Sequence, residues 1–222
     1  MAVHVENYQK LLTELAQKGA TLVAVSKTKP VEDIRELYAL GHRDFGENYV
    51  QELVEKQSQL PTDIRWHFIG HLQRNKVKYI VPFCYLIHGV DSLSLLKEIN
   101  KQGQKTGKKI HCLLQVHIAQ EETKFGMDEA ELQEALSTSA ALTNITIAGL
   151  MGMASFTENT KLVADEFDYL QQLYSRAKSQ LKNAEFQILS MGMSGDYRIA
   201  LEHGSNLVRV GSLLFGPREK HS

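Results

Sequence analysis

At 222 residues, 43% of them hydrophobic, the chain is long enough for one domain with a sizeable buried core. Its net charge is −1 with acids and bases interspersed, which excludes the basic footprint of a nucleic-acid binder. Two cysteines, Cys84 and Cys112, are too few for a disulfide scaffold and read as buried free thiols of a reducing compartment.

No apolar signal region follows Met1, and the longest apolar stretch, Tyr79 to Val90, is interrupted by Pro82 and His88 and too short to span a bilayer. A cytoplasmic protein without membrane contact is therefore expected. No low-complexity linker divides the chain, so residues 1–222 are expected to form a single domain.

The elements follow in order. A leading helix is predicted over His4–Lys18, where Tyr8, Leu11, Leu12 and Leu15 recur at helical spacing. Short apolar runs then alternate with helix-period segments. The strand Thr21–Val25 precedes a helix over Val31–Leu40, and the short, weak strand Asp44–Gly46 precedes Val50–Gln59. Trp66–Ile69 precedes Asn75–Val81, and Leu86–Val90 precedes Ser92–Lys101. Ile110–Ile118 precedes Asp128–Ser137, and Ile145–Leu150 precedes Val163–Lys182. Phe186–Leu189 precedes Asp196–His203, and Leu207–Val210 is the last strand. Repeated βα units predict the α/β class, and eight strands favour a single (β/α)8 TIM-type barrel with an extra N-terminal helix over an open sheet. Little chain follows the last strand. The leading helix either takes the place of the missing eighth helix or lies across the barrel's bottom.

In such barrels the chemistry sits just past the C-terminal ends of the strands. After the first strand comes Ser26-Lys27-Thr28-Lys29-Pro30. Side chains alternate along a strand, so Val23, Val25 and Lys27 share a face, and an inward face would put Lys27 at the barrel mouth. A partly desolvated lysine there can form an imine with a carbonyl compound, whereas two solvated loop lysines would do nothing. After the seventh strand, Ser190-Met191-Gly192-Met193-Ser194-Gly195-Asp196 opens a helix, and after the eighth comes Gly211-Ser212. Loops at these two ends commonly bind phosphate in barrels, through backbone amides and hydroxyls. The blander reading makes Ser194 a helix cap and the glycines turns. Arg209 shares a strand face with Leu207 and Gly211, which favours an inward guanidinium facing a ligand over a salt bridge inside the barrel. Met151 and Met153, echoed by Met191 and Met193, suit an apolar wall, and Asn48 offers one polar group near the same mouth. His67 and His71 stand four apart across a strand end and Gly70 without a partner acid, so no metal site is expected.

Seven motifs, spanning residues 24 to 216 in order, carry a resemblance: Ala24-Val25-Ser26-Lys27-Thr28-Lys29, Phe45-Gly46-Glu47-Asn48-Tyr49-Val50-Gln51-Glu52, Trp66 to Lys76, Glu122 to Met127, Gly149 to Met153, Ser190 to Asp196 and Arg209 to Gly216. In these the chain resembles the pyridoxal phosphate homeostasis proteins, which have the barrel of the alanine racemase N-terminal domain. The resemblance implies pyridoxal 5′-phosphate (PLP) held as a Schiff base on Lys27, phosphate contacts from Ser194, Gly211 and Ser212, and Arg209 facing the pyridine nitrogen. It implies Asn48 and Met191 as pocket-wall residues. His117 departs from the family's usual asparagine.

A PLP carrier or regulator without substantial turnover is the expected function, with apo PLP-dependent enzymes as candidate partners and a monomer or weak dimer as the expected state. Two alternatives stand beside it. One is a PLP-dependent racemase or decarboxylase; racemases of the related fold take a tyrosine acid/base from a second, β-rich domain of the partner subunit, and only six residues follow Gly216 here. A lysine-imine aldolase for a sugar phosphate would use the same lysine but leave Arg209 unexplained.

Overall fold

The computed structural model describes residues 3–181 and 184–217. In chain order the elements are α1 (Val5–Gln17), β1 (Thr21–Val25), α2 (Val31–Ala39), β2 (Asp44–Glu47), α3 (Val50–Gln59) and β3 (Arg65–Phe68). A single 3-10 turn, Arg74–Lys76, leads into α4 (Val77–Ile80), then β4 (Leu86–Val90), α5 (Leu93–Thr106), β5 (Ile110–Gln115), α6 (Glu129–Ser139) and β6 (Ile145–Met151). The remainder comprises α7 (Thr160–Leu181), β7 (Ile188–Ser190), α8 (Tyr197–Glu202), β8 (Leu207–Val210) and α9 (Ser212–Phe215). Residue Lys182, the expected end of the seventh helix, lies outside the described residues, as do both ends of the expected 1–222 domain. The strands are parallel and close in sequence order, β1 pairing with β8, into the expected (β/α)8-type barrel.

Strand parity sorts the core into two layers. Outward residues such as Leu22, Ala24, Phe45, Phe68 and Val208 pack against Leu37, Leu53, Leu96, Leu132 and Phe167 of the helices. Each fully buried side chain of this kind contributes about 1.5–3 kcal/mol. Inward residues Val23, Leu86, Leu113, Ala148, Met151 and Leu207 form a smaller apolar cluster inside the barrel. The weak second strand is real: its four residues are buried and pair with β3, and Phe45 and Gly46 also pair with β1.

The leading helix covers the outside of the β1–β8 seam, where the described helix after β8, α9, has only four residues. At the C-terminal end of the barrel the His4 amide donates to the Leu214 carbonyl (2.7 Å) and Asn7 Nδ2 to that of Leu213 (3.0 Å). From there α1 runs down the flank to enter β1 at the other end, with Tyr8, Leu11 and Leu15 buried. Glu14 accepts hydrogen bonds from the Tyr197 hydroxyl (2.8 Å) and Arg198 (2.9 Å), which ties the helix to α8. No helix among the described residues is long and apolar enough to cross a membrane.

The rest of the barrel interior is polar. Asp44 accepts from Arg65 (2.7 Å) and from His67 Nε2 (3.0 Å), His67 Nδ1 meets His88 Nε2 (2.9 Å), and His88 Nδ1 meets the Ser190 hydroxyl (3.2 Å). With both histidines neutral the donor direction is fixed: Ser190 to His88, His88 to His67, His67 to the carboxylate. Burial lowers the basicity of His67 and takes that of His88 far down, and burial likewise lowers that of His42. Burial alone would raise the Asp44 carboxyl, but the bonds from His67 and Arg65 outweigh it and hold it well below the usual range.

These shifts fix a pH dependence. A histidine kept neutral in the folded state contributes stability that is complete above its unfolded value of about 6.5 and is lost as pH falls toward the depressed folded value. Glu47, pushed up to about 7 by burial against the attraction of Lys56, acts in the opposite sense and loses its contribution as pH rises. Asp33 and Asp196, also raised by burial, act in the same sense as Glu47 from a lower ordinary value. With His42, His67 and His88 all lowered, the urea midpoint is expected to fall as pH is lowered from 7.5 to 5.5 (about two units, spanning the histidine range). A flat or rising midpoint would show that the histidines do not dominate this pH dependence.

Candidate functional site

A cavity of about 430 Å³ opens at the C-terminal end of the barrel, lined from the ends of β1, β2, β3, β6, β7 and β8. Strand parity carries β1 into it: Val23 lies in the inner cluster, and Val25 and Lys27 line the cavity. Lys29 also lines it, but its amine donates to the carbonyls of Phe215 (2.8 Å) and Pro217 (3.3 Å). Lys27 is half-buried, between Ser26, fully buried, and Thr28, exposed.

Arg209 points inward, 3% exposed, and contributes to the cavity wall. Its NH1 donates to the Ser190 hydroxyl (2.5 Å) and its NH2 to the Gly152 carbonyl (3.1 Å), and no carboxylate among the described residues pairs with it directly. Ser190 thus joins the guanidinium to the chain of histidines that ends on Asp44. Burial lowers the Arg209 guanidinium to about 10, eased by the charge of Asp196, and it stays protonated at neutral pH.

Beyond β7 and β8 two loops meet. The Ser194 hydroxyl accepts from the Gly211 amide (3.3 Å) rather than capping α8, and Ser212 begins α9 beside it. Glycine is required at Gly192, with φ +95°, where a Cβ would stand 2.7 Å from that of Ala200. Gly70 packs so tightly on the backbone before Tyr49 that a Cβ would come within 2.3 Å of the Asn48 carbonyl. Asn48 lines the cavity, and its Oδ1 is buried without a hydrogen-bond partner among the described residues.

Six of the expected site residues, Lys27, Asn48, Ser194, Arg209, Gly211 and Ser212, therefore share one cavity. Met191 does not join them: it is fully buried in the outer core beneath α8, and Met193, two residues on, lines the cavity instead. The turn at Gly192 exchanges the two side chains. Ile69, Phe156 and Asp196 complete the lining in places the sequence did not single out. His117 lies off the cavity, its ring bonded to the Glu121 carbonyl (3.0 Å). His67 belongs to the interior chain and His71 bonds Asp91 (2.8 Å), so the two histidines do not converge.

The family model described as alanine racemase, N-terminal domain, matches residues 4–219. The pyridoxal phosphate homeostasis protein of Aquifex aeolicus is 40% identical over 201 residues, covering 90% of this chain and 88% of that protein. Its human namesake is 39% identical over 210 residues, covering 89% of this chain and 76% of that protein. Among solved structures, PipY of Synechococcus elongatus with PLP bound superposes with a TM-score of 0.87 at 34% identity, covering 95% of this chain and 99% of that one. The chain belongs to the alanine racemase N-terminal-domain family and, within it, to the pyridoxal phosphate homeostasis proteins. Alanine racemase of Bartonella henselae, at 20% identity and a TM-score of 0.71, covers 93% of this chain but only 59% of its own length and shares the fold.

Ser190 is the one link between Arg209 and His88. Ser190→Ala leaves a buried guanidinium hydrogen and a ring nitrogen without partners, and should cost about 1–3 kcal/mol of folding stability in urea denaturation. A change below about 0.5 kcal/mol would mean that Arg209 does not depend on this contact.

Proposed function

We propose that this chain binds PLP as a Schiff base on Lys27 and serves homeostasis of the cofactor, as a carrier or regulator without substantial turnover. The observation that carries this reading is the convergence of Lys27, Arg209 and the Ser194 and Gly211-Ser212 loops on one cavity of about 430 Å³. That volume lies in the range of small-ligand sites. The Lys27 amine attacks the cofactor's aldehyde carbon, a C=N bond forms, and the carbonyl oxygen leaves as water. Arg209 faces the pyridine nitrogen as a donor that cannot take a proton from it. Ser194, Gly211 and Ser212 hold the phosphate through a hydroxyl and backbone amides. Asn48, with its unpartnered oxygen, and Met193 form the wall, while Met191 supports the loop from the core. When bound, PLP supplies an electrophilic aldehyde and an electron sink.

Homeostasis rather than amino-acid chemistry is favoured by the site's acid/base groups. Racemisation needs a group on each face of the substrate α-carbon. Among the described residues lining the cavity the ionisable ones are Lys27, Lys29, Asp196 and Arg209, with no tyrosine, and the Lys29 amine is held by carbonyls. The names of the relatives agree with this reading. The chain hands PLP to apo-enzymes, as a monomer or weak dimer. A cytoplasmic setting is supported by Cys84 and Cys112, both unbridged.

The protein loaded with PLP should absorb visible light, and borohydride reduction with peptide mapping should place the adduct on Lys27. Lys27→Ala should lose the band and keep its far-UV circular dichroism. Pyridoxal, lacking the phosphate, should bind at least about tenfold more weakly. Equal binding would remove the phosphate assignment, and an adduct on Lys29 would overturn the parity of β1. Fast, saturable α-proton exchange of amino acids, lost in Lys27→Ala, would favour an enzyme.

A further inference from the structure

Of the motif Phe45 to Glu52 only Asn48 reaches the cavity, yet two of its carboxylates sit against the loop that bears Lys27. Lys56 of α3, 5% exposed, reaches toward that loop. Its three ammonium hydrogens are all used, on the Ser26 carbonyl (2.7 Å), Glu47 Oε1 (2.8 Å) and Glu52 Oε1 (2.7 Å). The Ser26 hydroxyl donates to the same Glu47 oxygen (2.6 Å), and the Thr28 amide donates to Glu52 Oε1 (2.6 Å). The residues on either side of Lys27 are therefore both fastened to one charge cluster. Glu47 Oε2 is buried without a partner among the described residues, so the cluster is not optimised for its own hydrogen bonding.

The backbone shows what the cluster holds. Thr28 has φ +60° and is the only non-glycine residue with positive φ among the described residues. For a β-branched side chain that conformation is unfavourable and persists only where neighbours enforce it. The Lys29 amide closes the turn on the Ser26 carbonyl (3.1 Å), the same oxygen that Lys56 grips. An apolar residue at position 56 would serve packing as well or better, because buried charges carry a desolvation cost. What an apolar residue could not do is fasten Ser26 and, through Glu52, Thr28.

We propose that Glu47, Glu52 and Lys56 are positioning residues for Lys27, clamping the backbone on both sides of it and enforcing the left-handed turn at Thr28 that keeps its amine on the cavity. The proposal rests on Lys27 being the imine lysine. Released from Glu52, Thr28 relaxes to negative φ. The peptide joining it to Lys27 rotates, and the lysine stem leaves the line of β1.

The test is the rate at which PLP forms the reducible adduct with the apo protein. Glu52→Ala removes the acceptor for the Thr28 amide and should slow adduct formation roughly 5- to 30-fold, with the adduct still on Lys27 and circular dichroism unchanged. Adding Thr28→Gly to Glu52→Ala should recover most of that loss, because glycine adopts positive φ without a clamp. Glu52→Gln, which keeps an acceptor, should lose less than Glu52→Ala. A purely structural role predicts the opposite for the double variant, since glycine adds chain entropy to the unfolded state. Lys56→Met, measured alongside, should also slow the reaction, and it reads the same clamp from the Ser26 side. Wild-type rates in Glu52→Ala and Lys56→Met, or no recovery on adding Thr28→Gly, would overturn the clamp while leaving the cofactor assignment standing. Absence of any adduct on wild-type Lys27 would overturn both.

Discussion

The pairing of β1 with β8 is the contact on which the site depends. It sets Val23 beside Arg209 and closes the barrel between the two ends of the chain. Lys27 and the loops of Ser194 and Gly211 are distant in sequence, and ordering so long a closed segment is entropically unfavourable before contacts form. The seam is accordingly covered from outside: α1 runs along it, with its first residues bonded to α9 and its Glu14 to α8. The element that completes the barrel wall is also the one that keeps the cavity's two sides together. A helix lying across the barrel's bottom could not have done both.

Inside the barrel, polarity replaces much of the apolar filling such a core ordinarily has. A guanidinium at the mouth is joined to a carboxylate near the floor by one hydroxyl and two neutral imidazoles. Each group between the charges donates once and accepts once along the line, so none is left to be satisfied by water. That arrangement fixes the guanidinium more firmly than apolar neighbours could. Burial lowers Arg209 only to about 10, so the positive charge persists at the cavity wall.

Much of this was legible in the residues. The bounds of β1, β4 and β8 follow from apolar runs and turn residues, and alternation along β1 and β8 turned Lys27 and Arg209 to one cavity. The same alternation puts Asp44, His67, His88 and Ser190 on inward faces of their strands, a signal that reading strand ends alone passes over. Met191, expected in the pocket wall from its place at a strand end and from the resemblance, turns into the core, and Met193, beyond the positive φ of Gly192, lines the cavity instead. The helix α9 has four residues and no period to detect. The expected end of the fifth strand at Ile118 overshot, because the chain turns after Gln115 and makes only an isolated bridge from Val116 to Met127. Glu52 and Lys56 stand at helical i, i+4 spacing, which reads as an ordinary surface pair until the fold buries Lys56 beside β1.

Retention and release make opposite demands on a carrier, and the roles proposed above fall in different parts of the structure. The Arg209 end of the cavity rests on Ser190 and on strands that cannot move without opening the barrel. The lysine rests on a turn whose conformation is unfavourable by itself and is enforced by a charge cluster on the neighbouring helix. The rim beyond both is exposed, with Phe156 almost wholly in solvent and Met193 partly so. On the proposed assignment of the imine to Lys27, anything that loosens Glu52 or Lys56 would act on that bond while leaving the barrel and its guanidinium in place. On that proposal the division is useful, because neighbouring residues could weaken the bond to the cofactor without unfolding the chain.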